Sequence, residues 1–444
     1  MASRLLAAGL LIGSALLAWL VIASALAARL LQVVIGLSVL YVGYLAYRGW
    51  RLIAASIGAG SRESVPTDGA IPFISVVVPA RNEAPVIADV VRDLVAQDYG
   101  PPAQPAFEVV VLDAGSDDGT AQLAADAAES GRPGISLFRV LASDLMAGSR
   151  TKGAALARAM PELHGEIWAV VDADARVTPD FLAAVMAAWS RDPDAVAVQP
   201  RRHPFNEGQS WLTAAQAEEQ LMDLASQCGR RQADGTAELR GNGMFVRRDA
   251  LNSVDGWNEG AITEDLDLST RLAARGDHIA LAPEVLIGEE AVTSLGDLWT
   301  QRMRWAEGSL RRLMEHGPRL LVGSAPMAHK LDFLAFTAEF VIPPLFVASV
   351  VASIITIPLP VRMDWTIPIS LFAAYGVGSF LLALAGLAGV GIRGTSLIGR
   401  SVRGALFLSH WLVVVPAALV RIAIGPQTTT FRKTPRMGHA SLDR

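Results

Sequence analysis

The sequence predicts an α/β domain built on a mostly parallel sheet and flanked at both ends by membrane-spanning helices. Three observations predict it. Short β-branched runs recur, each followed by a turn-rich loop and a helical spacing of apolar residues. Uncharged stretches of membrane-crossing length lie near the two ends, and polar residues able to do chemistry gather where the β-branched runs stop.

At the amino end, Leu5 to Ala28 carries no charge, and a second apolar run follows Arg29 from Leu30 to Tyr47. Each is long enough for a hydrocarbon core about 30 Å thick, so residues 1–57 read as a transmembrane hairpin rather than a cleaved leader ending near Ala27. Arg48 and Arg51 then mark the cytoplasmic side, which places the next domain in the cytoplasm. Residues 58–72, rich in Gly, Ser and Pro, read as a linker to a catalytic domain over 73–297. Interfacial helices are expected over 298–330, transmembrane helices over 331–426 and a basic tail over 427–444. The carboxyl-terminal apolar runs are Phe333–Pro358, Trp365–Val390 and Ala405–Ile424. Three crossings would put the basic tail outside, against the charge rule, so one run is expected to be interfacial or re-entrant, with Pro343-Pro344 and Pro416 as breaks.

A hydrophobic share of 52% with the excess at the ends argues for an integral membrane protein. The formal charge of -5 gives no basic field for nucleic acid, and Cys228, alone of its kind, excludes an intrachain disulfide or a Cys-rich metal site.

The strands are expected at Ile74-Ser-Val-Val-Val-Pro79, Phe107-Glu-Val-Val-Val-Leu112 and Ile167-Trp-Ala-Val-Val171. In such a sheet ligands bind outside the carboxyl ends of the strands, here Arg81-Asn-Glu83, Asp113 and Asp172-Ala-Asp174. The Asp-x-Asp pair suits a divalent cation bridging phosphate oxygens, or plain turn chemistry before Thr178-Pro179. Asp113 heads Asp113-Ala-Gly-Ser-Asp-Asp-Gly-Thr120, either a nucleotide-facing loop or a surface turn. Lys152 before an Ala-rich helix can face a diphosphate or simply solvent. Thr263 followed by Glu264, Asp265 and Asp267 fits helix capping, with acids against the positive end of the dipole, or a cluster of catalytic carboxylates.

Taken in order, these pieces resemble the family 2 glycosyltransferases of GT-A fold over roughly Ile74 to Arg312, more than half the chain. The resemblance implies that Pro79, Arg81, Glu83 and Asp113 hold the uridine, that Lys152 approaches the diphosphate, and that Asp172 and Asp174 bind Mg²⁺ or Mn²⁺. It implies a general base at Asp265, with Glu264 beside it in the Thr263-Glu-Asp265 motif. Gln301-Arg-Met-Arg-Trp305 is similar to the Gln-x-x-Arg-Trp signature of membrane-bound synthases, whose residues, here Gln301, Arg304 and Trp305, cover diphosphate and acceptor. The chain departs from many relatives in having Asp113-Ala114 where they carry paired aspartates.

Glu238-Leu-Arg-Gly-Asn-Gly-Met-Phe, Gly256-Trp-Asn-Glu259 and the motifs above are most similar to monoglucosyldiacylglycerol synthases, which move glucose from UDP-glucose to diacylglycerol. The expected partners are therefore a UDP-sugar, a membrane lipid acceptor and the bilayer itself, with Gly241, Asn242, Gly243 and Trp305 at the acceptor. The alternative within the class is a processive polysaccharide synthase, although about five apolar runs are few for a polymer channel. A non-catalytic scaffold or a transporter is the remote alternative. Like-charge neighbours Glu264 and Asp267 are expected to raise the proton affinity of Asp265, and a base opposite the leaving group implies inversion at the anomeric carbon.

Overall fold

The computed structural model describes residues 2–59, 71–101, 105–131, 137–141, 151–357 and 365–425. Most of the expected linker, Arg150 and the basic tail lie outside the described residues. In chain order the helices are α1 (Ala2–Ala23), α2 (Ala25–Ala59), α3 (Ile87–Val95), α4 (Thr120–Gly131), α5 (Lys152–Ala159), α6 (Phe181–Trp189) and α7 (Trp211–Gln232). They continue as α8 (Arg248–Asn252), α9 (Glu264–Arg275), α10 (Leu295–Val322), α11 (Met327–Ile355), α12 (Thr366–Gly389), α13 (Gly394–Leu408) and α14 (Trp411–Ile424). Two compact units result. Among the described residues the sheet unit takes Ala55–Ala217 and Thr236–Asp297, and the helical unit takes the chain up to Ala54, Glu218–Gly235 and Leu298 to Gly425.

The sheet unit holds β1 (Ile74–Ala80), β2 (Phe107–Asp113), β3 (Leu137–Leu141), β4 (Ile167–Val170), β5 (Ala197–Pro204), β6 (Met244–Arg247) and β7 (Ile279–Glu289). Their order is β3-β2-β1-β4-β6-β5-β7. β6 runs antiparallel to both its neighbours, while the other pairings are parallel. The strand order reverses beside β1, which has β2 on one side and β4 on the other, so a crevice opens at the carboxyl ends there.

Both faces of the sheet are covered, which is why its first strands are nearly unbroken apolar runs. Ile74, Val76, Val78, Phe107, Val109 and Val111 face α3, α4 and α6 through Val90, Leu94, Ala124 and Val185. Val77, Val110, Trp168 and Val170 face α5, α8 and α9 through Leu156, Leu251, Leu268 and Leu272. One buried carboxylate braces the amino ends of the strands. Glu108 on β2 accepts from Ser75 Oγ on β1 at 2.6 Å, from an Arg139 guanidinium nitrogen on β3 at 2.6 Å and from the His164 backbone N–H at 2.9 Å.

Among the described residues five helical stretches are long and apolar enough to cross a membrane: Ser3–Ala23, Ala25–Ala59, Met327–Ile355, Thr366–Gly389 and Gly394–Ile424. The breaks differ from the sequence expectation. The first falls at Ser24, whose hydroxyl accepts from Ala27 N at 3.3 Å, and Arg29 continues inside α2. Helix α11 runs uninterrupted through Pro343-Pro344 and α14 through Pro416. The interruption in the last stretch comes at Ser409-His410, between α13 and α14. Proline removes one N–H donor, and neither helix ends on that account.

Helix α7 from Glu218 onward packs almost backbone to backbone. A methyl group built on Gly49 of α2 would lie 2.0 Å from the Ala225 carbonyl oxygen, and one on Gly229 would lie 2.2 Å from that of Leu45. The two contacts are reciprocal and one helical turn apart on each helix, the small-residue crossing found where apolar helices approach closely.

Candidate active site

Two loops at the carboxyl ends of β1 and β2 are sewn together. Asn82, held at φ 56°, receives the Asp117 N–H on its side-chain oxygen at 2.9 Å and gives its own N–H to Ser116 Oγ at 2.8 Å. Glu83 N donates to Thr120 Oγ1 at 2.8 Å and Ala84 N to Asp118 at 3.1 Å. Asp113, buried at the end of β2, accepts from Ser116 N at 3.0 Å. The loop after β2 is therefore more than a surface turn: its Ser116 and Thr120 hydroxyls, the Asp117 N–H and the Asp118 carboxylate fix its partner loop, leaving Pro79 half-buried and Arg81 exposed beside it.

The second cluster forms at the end of β4. Thr151 caps α5 by accepting from Ala154 N at 3.0 Å, which sets Lys152 at the first helical position. From there Lys152 Nζ reaches Asp172 at 2.6 Å, Glu264 at 3.2 Å and the Gly241 carbonyl at 2.9 Å. Burial pulls its pKa down, but Asp172, Glu264 and Asp265 outweigh burial and leave it above the ordinary lysine value. Lys152 is thus a fixed cation joining the Asp-x-Asp pair to the acids that open α9, not a solvated lysine.

Asp265 stands half-buried at the start of α9. Burial first, and Glu264 second, push its pKa up to about 6. Asp267, expected to share in this, is turned away into ion-pair contact with Arg271 at 2.7 Å and a hydrogen bond from Asn258 at 2.9 Å. Thr263 occupies the capping position, yet its hydroxyl makes no capping bond. Gly241 has φ 76°, and a methyl group there would stand 3.3 Å from an Asp265 carboxylate oxygen. A side chain at that point would be strained in backbone and would crowd the carboxylate.

Asn242 lies deeper than the acceptor floor the sequence suggests. It is 1% exposed; its side-chain oxygen receives Asp172 N at 3.1 Å, and its amide reaches Glu289 at 3.4 Å. Its carbonyl accepts from Gln199 at 2.9 Å. Gly243 packs against Ile287. Of the three, Gly241 alone comes up to Asp265 and Lys152.

Asp172 is 37% exposed in its side chain, while Asp174 is buried and accepts from Glu290 N at 3.1 Å. Two carboxylates at one strand end fit a hard cation that takes its remaining oxygens from phosphate and water. Among the described residues no group of three or more His, Cys, Asp or Glu is gathered for a metal, so a cation here would rest on this pair and its substrate. Gln199, Asn258, Glu289 and Glu290 support the cluster without having been singled out in the sequence. Gln199 sits in a strand that reads Ala-Val-Gln-Pro-Arg-Arg-His-Pro, with no apolar run to betray it.

Gln301, Arg304 and Trp305 lie on α10 in the helical unit, each half-buried, with Arg302 and Met303 buried between them.

The model of the glycosyltransferase like family 2 matches residues 72–308. This chain belongs to glycosyltransferase family 2. Two curated relatives of this glycosyltransferase are beta-monoglucosyldiacylglycerol synthases. The one from Trichormus variabilis is 32% identical, covering 83% of this chain and 78% of the relative. That from Synechocystis sp. is 30% identical over 88% and 81%. Among solved structures, a Pyrobaculum calidifontis mannosyltransferase in complex with GDP-Man and Mn²⁺ shares the fold, with TM-score 0.58 and 21% identity over 86% of this chain and 99% of that one. The fold is GT-A, with a mixed, mostly parallel sheet.

Proposed function

We propose that this glycosyltransferase moves glucose from UDP-glucose to the free hydroxyl of diacylglycerol, with inversion, giving a monoglucosyl lipid. The observation that carries the reading is the pairing of relatives of that name, matched over most of both chains, with an Asp265 carboxylate poised near pH 6 beside Lys152. Asp265 takes the acceptor proton as the hydroxyl oxygen bonds to the anomeric carbon, and UDP leaves from the opposite face with the electrons of the broken bond. Lys152 offers the departing diphosphate positive charge, and Asp113 with the stitched loops Pro79–Glu83 and Asp113–Thr120 receives the nucleoside. Asp172 and Asp174 would hold Mg²⁺ or Mn²⁺, which when bound neutralises diphosphate oxygens. Gln301, Arg304 and Trp305 are assigned the diphosphate and acceptor roles their motif implies. Asn242 serves by holding the backbone of Asp172.

A diacylglycerol hydroxyl lies at the headgroup level of a bilayer, where a chain with five spans of membrane length and a catalytic domain on the cytoplasmic side can meet it. The test is purified protein in lipid vesicles given radiolabelled UDP-glucose and diacylglycerol, with the products separated by polarity and size. A labelled lipid bearing one sugar supports the reading. An alkali-stable polymer of high mass sinks it in favour of a polysaccharide synthase.

A further inference from the structure

We propose that Arg302, one of the two positions that the Gln-x-x-Arg-Trp signature leaves open in Gln301-Arg-Met-Arg-Trp305, is a positioning residue that sets both Gln301 and Trp305. The inference rests on the reading of those two residues as part of the transferase site. Arg302 is 2% exposed, among the largest fully buried side chains of the protein. One guanidinium nitrogen donates to the Gln301 side-chain oxygen at 2.5 Å, and the guanidinium carbon stands 4.1 Å from the centroid of the Trp305 ring. Its other terminal nitrogen is paired with Glu219 on α7, and Glu219 in turn accepts from the Trp411 indole N–H at 2.9 Å.

A planar guanidinium can donate from two nitrogens in its plane while its face lies flat on an aromatic ring; an ammonium has no such face and no second nitrogen to span two acceptors. Arg302 therefore ties the two ends of the motif to one anchor, the Trp411–Glu219 pair. Its neighbours Gln301 and Trp305 stay half-buried, where a ligand can reach them, while Arg302 is shut away from any ligand. That division separates a positioning residue from one that touches substrate.

The test is a double-mutant cycle on Arg302→Met and Trp305→Ala in proteoliposomes, read as UDP release from UDP-glucose with diacylglycerol present, alongside labelled lipid. Each single change is expected to lower kcat/KM by about 10²-fold, the scale of a reacting group displaced by a fraction of its proper placement. If Arg302 acts through Trp305, the double variant falls within about twofold of the poorer single one. Losses that multiply, to about 10⁴-fold, overturn the proposal. Arg302→Lys keeps a cation opposite Glu219 and supplies the arm in which folding is preserved. A thermal midpoint near that of the wild type with kcat/KM lost supports positioning. A lowered midpoint with kcat/KM per folded molecule unchanged means a purely structural role and overturns it. UDP release scores any acceptor, so a wild type that frees UDP without labelling lipid sinks the lipid reading and leaves the cycle to be judged on its own.

Discussion

At the level of single residues, the site turns on how one cation is shared among three carboxylates. Lys152 holds Asp172 and Glu264 directly and lies close enough to Asp265 to lower its proton affinity, against burial and Glu264, which raise it. As the proposed base, Asp265 must be ionised to accept a proton, and with its pKa pushed up to about 6 it is ionised above that pH. Transfer should therefore fall by about tenfold per pH unit on acidification below that point and level off above it. A pH profile of kcat/KM in vesicles checks this, and a flat profile down to pH 5 would remove Asp265 from the role. Asp265→Asn should lower turnover by about 10²- to 10⁴-fold while UDP binding, followed by calorimetry, is retained. Lys152→Met removes one of the groups that hold Asp265 down, beside the Leu266 N–H and Arg240, so the acid limb of its residual activity should move to higher pH. These three residues were legible because each follows a buried run or opens a helix, where a polar side chain has nowhere to go but the crevice. Asn242 was not. Its sequence neighbours Gly241 and Gly243 suggest an exposed turn, and only contacts with Asp172 and Glu289, 70 and 47 residues away, bury it.

Single elements show the same divide between local and distant causes. Strands β1, β2 and β4 announce themselves because both faces are covered and their positions are apolar except Ser75, Glu108 and Asp113. Strand β5 carries two prolines, two arginines and a histidine, and four-residue β6 is too short for a pattern. Their place in the sheet comes from partners far along the chain. The brace at the opposite end of the sheet offers a control for the site. Burial alone would raise the Glu108 pKa, but Ser75, the His164 N–H and Arg139 outweigh it and hold it below the usual carboxylate value. Its contribution to stability is present above the unfolded carboxylate value and is lost as pH falls through the lower folded one. Glu108→Leu leaves Ser75 and the Arg139 guanidinium short of an acceptor and should cost about 1–3 kcal/mol, seen as a lowered thermal midpoint. The KM for the nucleotide-sugar donor should not move, since the brace lies at the amino ends of the strands; a changed KM would mean that the brace reaches the site. Likewise Asn242→Ala orphans the Asp172 N–H at a similar cost of about 1–3 kcal/mol, but here KM and kcat should change with stability.

For the molecule as a whole, the bounds of the family match and those of the compact units do not coincide. Residues 72–308 include all of α7, yet from Glu218 onward that helix belongs to the helical unit. Glu218 is fully buried and accepts from Arg400 at 2.8 Å and Arg403 at 2.6 Å. Arg230 is paired with Asp332 at 3.0 Å and stacks on Phe336 at 4.4 Å. Ala225 and Gly229 touch the backbone of α2, and Leu221 that of Gly386 on α12. A fragment cut at 72 and 308 loses every one of these partners. Breaking a buried pair by removing one side costs about 3–5 kcal/mol, and two such pairs together approach the whole stability of an ordinary domain, about 5–15 kcal/mol. The exposed apolar face of α7 would add a surface prone to association. The fragment 72–308 is therefore expected to be aggregated or to lack cooperative unfolding in size-exclusion and calorimetric measurements. Replacing Gly229 by Val in the full chain should produce a milder form of the same defect, because the added side chain meets the Leu45 carbonyl. A fragment that is monodisperse, unfolds in one transition and binds UDP would show instead that the sheet unit needs nothing beyond its own core, and that the buried charges of α7 are dispensable to it.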